Sequence, residues 1–287
     1  MNAADPSGPF TLAHMADSPL LPAVAAACRA IEQVAEETIA VREKGDRSPV
    51  TLADERAERI LLAALAEIAP EIPVIAEEQA EREGLAEAAP ARFLLVDPLD
   101  GTKEFIRGGD DYTVNVALVE AGRPVFGLVA APRRGTVWIG AAGEGALAAR
   151  LGAGGRLEES RRLAVRRAPE RITIVASRSH RNPETERYLA HYPDAETVAI
   201  GSSLKFCLLA EGRADLYPRL GPTMEWDTAA GDAVLRAAGG RVLDERGRPL
   251  AYGKPGFRNG WFLAVGDPAL RPVPLSAATG GAEPDRA

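Results

Sequence analysis

Apolar positions in the first third of the chain recur with the period of packed helices. From residue 19 to 43 they return every three or four residues, which predicts a helix buried on one face. A second helix is predicted over 52–69, with Thr51 as its N-cap and Asp54 in its first turn. The intervening segment 44–49 contains glycine and proline and is predicted to be a loop.

After residue 70 the helical period gives way to short apolar runs that predict strands. From residue 172 onward, strands and helices alternate, which favours an α/β layer. We therefore predict an N-terminal α+β sub-domain over 10–170, an α/β sub-domain over 171–275, and a disordered polar tail over 276–287. The predicted strands are 72–76, 93–96, 113–119, 124–130, 137–140, 172–176, 197–201, 214–218, 241–244 and 262–265, and the later helices are 183–191, 203–212 and 228–240.

Composition narrows the function classes without choosing one. The chain has 287 residues, 46% of them hydrophobic, with a net charge of -7 and a pI near 5.2. This lacks the basic footprint of a nucleic-acid binder, so we predict a small-molecule ligand and no DNA or RNA partner. An anionic ligand would need local positive charge from metals or from a few Lys and Arg side chains.

Cysteine usage and hydropathy predict a cytoplasmic protein. The two cysteines, Cys28 and Cys207, form no disulfide framework. The N-terminal segment lacks the basic and apolar regions of a secretory signal, and no run of 18 apolar residues predicts a membrane span. The sequence leaves open peripheral association with the inner membrane, and it leaves open whether the chain is a monomer or a homodimer.

Acidic residues lie at three predicted element ends that are distant in sequence. Glu77 follows the strand at 72–76, Asp97 and Asp100 follow Phe93–Val96, and Asp227 precedes the helix at 228–240. Hard divalent cations prefer oxygen ligands, and strand ends hold side chains rigidly at the rim of a sheet. These acids are therefore candidate metal ligands.

The segment DPLDGT has the composition of a tight turn. Its proline fixes φ and Gly101 permits a sharp bend, so a turn could aim both aspartates at one point and expose the carbonyl of Leu99. The backbone amides of Gly101, Thr102 and Lys103 could then bind an anion.

Each acid also has a purely structural interpretation. An Asp before Pro is a common turn former, Asp227 could cap the helix that follows it, and Glu78 could belong to a solvated loop. A capping aspartate can also be a ligand, so the two interpretations do not exclude each other.

Two motifs give the sequence a resemblance to a known family. The acidic pair Glu77-Glu78 precedes DPLDGT, and WDTAAG lies at 226–231. Over residues 20–265 the sequence resembles the lithium-sensitive, magnesium-dependent phosphatases that include the inositol monophosphatases. The resemblance implies a layered αβαβα sandwich, of the α+β or α/β class, with the site between the two sub-domains.

A closer resemblance is to the 3′(2′),5′-bisphosphate nucleotidase branch of the bacterial CysQ type. Lys103 after DGT and the segment Ser202–Cys207 are typical of that branch. The other segments that carry the resemblance are SPVTLAD, DPLDGTKEF, SRSH, GSSLKFCLLAEG, ADLYPR and WDTAAG.

The resemblance implies a role for each matched acid. Asp54 would pair with Thr102 to orient and deprotonate an attacking water. The cofactor would be Mg²⁺, two or three ions, with Mn²⁺ as an alternative and Li⁺ as an inhibitor. The implied metal ligands are Glu77, Asp97, Asp100 and Asp227, with the carbonyl of Leu99.

Substrate contacts follow from the same resemblance. Ser202, Lys205 and Arg219 are candidates for phosphate contacts, as are Gly101, Thr102 and Lys103. His180 is a candidate for a base or ribose contact, Asp227 also faces the substrate, and segment 44–49 would close over the metals. Three structural alternatives stay open. Lys205 could extend to solvent from an apolar helix, Arg219 could pair with a surface acid, and His180 could be structural.

Three alternatives bear on the mechanism. Haloacid-dehalogenase phosphatases carry D-x-D-G-T, whereas the motif in this chain is D-x-x-D-G-T. The extra residue would displace their acid/base aspartate, which argues against that mechanism. P-loop and dinucleotide fingerprints are absent from the sequence. A non-catalytic metal or nucleotide sensor would not need Asp54 and Thr102 beside its water.

The resemblance therefore implies a phosphatase that removes the 3′-phosphate of adenosine 3′,5′-bisphosphate in sulfate assimilation, with the sulfated precursor of that compound as a second candidate substrate. The alternative within the family is an inositol-1-phosphate or sugar phosphatase.

Overall fold

The computed structural model describes residues 8–15, 17–40, 49–85, 88–178 and 182–279. The helices are α1 Leu12–Met15, α2 Leu20–Ala40, α3 Pro49–Ile68, α4 Glu77–Glu83, α5 Thr102–Ile106, α6 Pro183–Leu189, α7 Leu204–Ala210 and α8 Ala229–Ala237, with 3₁₀ turns at Pro132–Arg134, Pro255–Phe257 and Leu275–Thr279. The strands are β1 Val74–Ala76, β2 Arg92–Asp100, β3 Thr113–Glu120, β4 Arg123–Ala131, β5 Thr136–Ala141, β6 Gly145–Leu151, β7 Leu157–Leu163, β8 Thr173–Ser177, β9 Glu196–Ile200, β10 Leu216–Arg219, β11 Thr223–Met224, β12 Arg241–Asp244, β13 Arg258–Asn259 and β14 Phe262–Val265.

The first sheet has seven strands in chain order, β1 to β7. Only its first pair, β1 and β2, is parallel, and the later pairs are antiparallel. Parallel pairing needs a crossover connection, and α4 lies within the connection from β1 to β2. This crossover aligns the carboxyl ends of β1 and β2.

Alternating side chains of β2 face two different cores, as expected for a strand buried on both faces. Leu94 and Val96 pack with α2 and α3. Phe93 and Leu95 pack on the opposite face, against α7 and α8. Asp97 continues the odd-numbered series at the end of the strand.

The second sheet has five strands in the order β12-β14-β10-β8-β9. Its inner face contributes Val175, Val242 and Ala264 to the core that contains α7 and α8. Its outer face packs with Tyr188 of α6 and with the 3₁₀ turn Leu275–Thr279. The layers are therefore helices, sheet, helices, sheet, helices, and the predicted αβαβα sandwich is confirmed.

Gly127 on β4 permits close contact between the first sheet and the central helical layer. A Cβ atom at this position would lie 2.2 Å from the carbonyl oxygen of Ala230 on α8. Residues larger than glycine would push α8 away from the sheet. The glycine thus sets the depth of the helix that follows Asp227.

Three sequence predictions are wrong in detail. Helix α3 begins at Pro49, so Thr51 lies inside the helix and does not cap it. Residues 276–279 of the predicted disordered tail form a 3₁₀ turn in which Ala278 is fully buried. Strands β6 and β7 were not expected, because much of β7 is polar and exposed at the edge of its sheet. Residues 280–287 lie outside the described residues.

None of the helices within the described ranges combines the length and the apolar character that crossing a membrane requires.

Candidate active site

One pocket of about 710 Å³ lies where the carboxyl ends of β1, β2 and β10 meet the starts of α5, α7 and α8. Elements from both sheets and from the helical layer between them contribute to its wall. It is lined by Glu77, Asp97, Leu99, Asp100, Gly101, Thr102, Lys103, Glu104, Ser177, Asn182, Gly201, Ser202, Lys205, Phe206, Tyr217, Arg219, Gly221, Pro222, Thr223, Met224, Asp227, Thr228 and Arg258.

The parallel pairing of β1 and β2 places two acids side by side. Ala76 is the register partner of Val96, so the next residues, Glu77 and Asp97, leave the two strands at the same level. Glu77 begins α4 and Asp97 is 1% exposed. Strand register thus brings half-buried Glu77 beside buried Asp97.

The segment DPLDG is a bulged strand end rather than the predicted turn. Strand β2 continues to Asp100, and its register with β3 shifts between Asp97 and Asp100. The amide of Leu99 donates to Oδ1 of Asp97 over 3.0 Å. A bulge places extra residues on one strand and redirects its side chains. It explains how Asp97 and Asp100, three residues apart, line one pocket.

Gly101 makes the sharp change from strand to helix. Its φ of 97° lies in the left-handed region, which favours glycine. A Cβ atom here would also lie 2.7 Å from the backbone oxygen of Asp111. Helix α5 follows at once, with the amides of Glu104 and Phe105 donating to the Gly101 carbonyl.

Asp227 is joined to the β2 corner by a serine that the sequence analysis did not single out. The hydroxyl of Ser203 lies 2.8 Å from the carbonyl oxygen of Asp227 and 3.1 Å from Oδ2 of Asp100. The Asp227 carboxylate accepts the amide of Met224 over 2.9 Å. The N-cap of α8 is Thr228, so the structural interpretation of Asp227 as the cap is wrong.

Burial and mutual repulsion raise the pKa values of the pocket acids. Burial is the main cause for each of them, and neighbouring carboxylates add to it for Glu77, Asp97 and Asp227. The pKa of Glu77 rises to about 8, that of Asp227 rises to about 7, and those of Asp97 and Asp100 also rise. These carboxylates repel one another, and Lys205 and Arg219 offset the charge of Asp100 and Asp227 only in part.

The donor set fits a hard divalent cation. Oδ2 of Asp97 is buried and makes no hydrogen bond with the described residues, which is costly for a carboxylate. A cation would satisfy this oxygen and offset the repulsion. In the described part of the chain, however, no three His, Cys, Asp or Glu side chains already form a metal-holding group. The metal ligands thus stay a prediction, supported by the shared pocket and the unpartnered oxygen.

Asp54 lies on α3 and is not among the residues that line the pocket. It is 5% exposed, and burial raises its pKa to about 8, with Glu78 and other acids adding to the effect. Its charge in turn raises the pKa of Glu77 and Asp97. Among the contacts between described residues, no hydrogen bond joins Asp54 to Thr102. The Thr102 hydroxyl donates to the Leu99 carbonyl over a long 3.4 Å.

Part of the pocket lining is cationic. Lys205 on α7 is 5% exposed, and its ammonium donates to the Ser202 carbonyl over 2.5 Å and lies 5.3 Å from the Tyr217 ring centroid. Burial lowers the pKa of Lys205 to about 8, against the opposing effect of Asp100. Lys205 therefore faces the site and does not extend to solvent.

Arg219 at the end of β10 also faces the pocket. Its Nη2 donates to the Pro222 carbonyl over 2.8 Å, and its buried Nε has no partner among the described residues. Arg219 lowers the pKa of Asp100 and Asp227, as does Lys205. The alternative that Arg219 pairs with a surface acid finds no support in the described contacts.

Comparison with known proteins agrees with this architecture. Residues 17–261 match the model of the inositol monophosphatase family. The chain belongs to the inositol monophosphatase family.

Individual relatives identify the branch of the family that this chain resembles. The chain is 44% identical to 3′(2′),5′-bisphosphate nucleotidase CysQ of Shigella flexneri over 237 residues, 80% of this chain and 93% of that protein. The structure of CysQ from Bacteroides thetaiotaomicron aligns with a TM-score of 0.74 at 38% identity, covering 86% of this chain and 96% of that one. An inositol monophosphatase from Zymomonas mobilis aligns with a TM-score of 0.70 at 26% identity, covering 90% and 96%. The resemblance to the CysQ branch is confirmed.

The structure of this inositol monophosphatase family member brings most of the predicted site residues into one pocket. Asp54 does not line the pocket, and His180 and residues 44–48 of the predicted loop 44–49 lie outside the described residues, while Pro49 begins α3. The predicted residues in the wall are Glu77, Asp97, Leu99, Asp100, Gly101, Thr102, Lys103, Ser202, Lys205, Arg219 and Asp227.

Sequence reasoning missed several other wall residues. Tyr217 precedes Arg219 by two residues on β10, so the ADLYPR segment could have pointed to it. Ser203, which contacts Asp100 and Asp227 without lining the pocket, adjoins Ser202 in the GSSLKFC segment. Asn182 and Arg258 had no such signal, because neither belongs to a motif that the sequence analysis recognised.

The raised pKa values predict that metal binding by this family member releases protons. Glu77 and Asp227, with pKa values near 8 and 7, are largely protonated at pH 6.5 and largely ionised at pH 8.5. Because a metal binds the ionised form, Mg²⁺ affinity should rise at least about ten-fold between these pH values. Calorimetric titration in buffers of different ionisation enthalpy should detect more proton release at pH 6.5. Equal affinity and no proton release would contradict the prediction.

Proposed function

We propose that this protein is a Mg²⁺-dependent 3′(2′),5′-bisphosphate nucleotidase that converts adenosine 3′,5′-bisphosphate to AMP and phosphate. The relatives that bear this activity in their names support the proposal. Two or three Mg²⁺ ions, replaceable by Mn²⁺, inhibition by Li⁺ and a role in sulfate assimilation belong to the same proposal.

The observation that carries the proposal is the division of the pocket into two charged walls. Glu77, Asp97 and Asp227 make up the acidic wall of the pocket, and Lys205 and Arg219 make up its cationic wall. A substrate with a single phosphate needs only one of these regions. A substrate with two phosphates can place one against the acidic wall, once cations bind there, and the other against Lys205 and Arg219.

The acidic wall would hold the metal ions. Asp97 offers its unpartnered Oδ2, and Glu77, Asp100, Asp227 and the Leu99 carbonyl are the other candidate ligands. When bound, divalent ions supply charge that offsets the phosphate dianion, and they lower the pKa of a water molecule.

The protein's own groups would orient the water and move its proton. The Thr102 hydroxyl lies in the pocket wall and can turn from the Leu99 carbonyl towards a water, since that hydrogen bond is long. Asp54 is the candidate proton acceptor, because burial keeps its pKa near 8 and so makes its carboxylate a stronger base. No covalent intermediate on the protein is required.

Phosphate release from two substrates tests the proposal. Adenosine 3′,5′-bisphosphate and inositol 1-phosphate are compared in Mg²⁺, with and without Li⁺. We expect at least about ten-fold higher kcat/KM for the nucleotide, and inhibition by Li⁺.

The other outcomes separate the alternatives. A preference for inositol 1-phosphate would support the inositol or sugar phosphatase and contradict the assignment of Lys205 and Arg219. Tight nucleotide binding without turnover of either compound would support a non-catalytic sensor. Cytoplasmic location, peripheral membrane association and the oligomeric state stay predictions.

A further inference from the structure

Three cations of the pocket wall differ in their depth. Lys205 is buried, Arg219 is half-buried and Arg258 is exposed. A substrate that extends from the buried end of the pocket to its mouth therefore lies near cationic side chains at more than one depth. The proposed function uses only Lys205 and Arg219.

Among the described residues, Arg258 differs from the other cations of the wall because its guanidinium has no hydrogen-bond or ion-pair partner. Lys205 donates to backbone carbonyls and Arg219 donates to Pro222. Lys103, the fourth cation, also has an interaction of its own. Within the described residues, the side chain of Arg258 makes no hydrogen bond or ion pair, so its guanidinium is available to a ligand.

The backbone that carries Arg258 is held firmly. Strand β13 pairs with β11, and Arg258 is the register partner of Met224, another residue of the pocket wall. The side-chain Nδ2 of buried Asn259 donates to the hydroxyls of Thr223 and Thr228 and to the Met224 carbonyl, over 2.8–3.2 Å. A fixed backbone with an unpartnered guanidinium is suited to binding an anion at the pocket mouth.

The two deeper cations already face the acidic wall. Lys205 and Arg219 lower the pKa of Asp100 and Asp227, so part of their charge offsets those carboxylates. An anionic group nearer the solvent would find Arg258 instead. A guanidinium binds a phosphate or sulfate through two parallel N–H groups.

We propose that Arg258 binds an anionic group that the substrate carries beyond the phosphate held by Lys205 and Arg219. This inference rests on the proposed nucleotidase function. Arg258 would favour a nucleotide whose 5′-phosphate bears a sulfate over the simple 3′,5′-bisphosphate. It is a residue that sets substrate preference, and the chemistry at the 3′-phosphate does not depend on it.

The test compares kcat/KM for 3′-phosphoadenosine 5′-phosphosulfate and for adenosine 3′,5′-bisphosphate. The variants are Arg258→Gln, Arg258→Lys and the control Arg123→Gln. Arg123 is exposed at the start of β4, at the end of the sheet opposite the pocket. All three variants are checked by thermal melting.

Arg258→Gln should lower kcat/KM for the phosphosulfate about ten-fold, mainly through KM, and for the bisphosphate less than about three-fold. Arg258→Lys should retain part of the preference, because it keeps the charge but loses the paired N–H groups. Arg123→Gln should change neither value. Added salt should reduce the wild-type preference and have little effect on that of Arg258→Gln.

An unchanged ratio in Arg258→Gln, or an equal loss on both substrates, would overturn the inference. Calorimetry also measures the affinity of each variant for both nucleotides. These affinities distinguish failure of the Arg258 inference from failure of the proposed function. If the wild type hydrolyses neither nucleotide, the proposed function fails, and the binding ratio still decides whether Arg258 recognises the outer anion.

Discussion

Asp97→Asn is expected to lower kcat/KM for adenosine 3′,5′-bisphosphate by roughly 1,000-fold or more, about 4 kcal/mol of transition-state stabilisation. Asparagine preserves the shape of the side chain and can still accept the Leu99 amide. It removes the charge and the unpartnered oxygen that a cation would use. Phosphate release in Mg²⁺ measures the loss.

The same substitution should stabilise the metal-free protein. Burial and the charge of Glu77 raise the pKa of Asp97, so the ionised side chain opposes folding at neutral pH. We expect the melting temperature without metal to rise by roughly 2 °C or more, and the increase on adding Mg²⁺ to disappear. Asp194→Asn, at an exposed position far along the chain, is the matched control. Retention of more than a tenth of the activity would refute the ligand assignment.

Lys205→Met is expected to lower kcat/KM for the bisphosphate about 100-fold, chiefly by raising KM. The substitution keeps the length of the side chain and removes the buried charge opposite Asp100. Activity on inositol 1-phosphate should fall less than about five-fold, because that substrate has no second phosphate. Steady-state kinetics on both substrates measures the difference.

Lys205 should also give the wild type a distinctive pH dependence. Its pKa of about 8 means that it is charged below pH 8 and loses its proton above it. KM for the bisphosphate should therefore rise above pH 8 in the wild type and stay flat in Lys205→Met. Loss of the Ser202 carbonyl's partner carries a stability cost of its own, about 1–3 kcal/mol. An equal loss of kcat/KM on both substrates would mean that Lys205 serves only to hold the backbone at Ser202.

Much of the site could be predicted from local sequence, because its residues occur in compact motifs. DPLDGT places Asp97, Asp100 and Gly101 together, since few other residues tolerate the bulge and the left-handed φ of 97°. The prediction of a simple turn was wrong, because β2 continues through the motif under the hydrogen bonding of β3. Strand pairing overrode the preference of proline for turns.

Residues outside motifs could not be assigned from the sequence. Ser203 connects Asp100 with Asp227, which lies more than 120 residues further along the chain than Asp100, and only the packing of α7 against α8 brings them together. Arg258 enters the wall because β13 pairs with β11. Such contacts depend on strand register and helix packing, which hydrophobic periodicity does not specify.

The motifs of the sequence by themselves determined the family, and the resemblance implied the layered fold class and the residue types of the site. Apolar periodicity predicted most of the helices and strands, because it is a local property of the chain. Tertiary structure decided the rest. The parallel register of β1 and β2 set Glu77 beside Asp97, and burial raised the pKa values of both carboxyls. Desolvation and the proximity of charges arise only when distant segments pack together, and they separate an acidic wall from a cationic one in a single pocket.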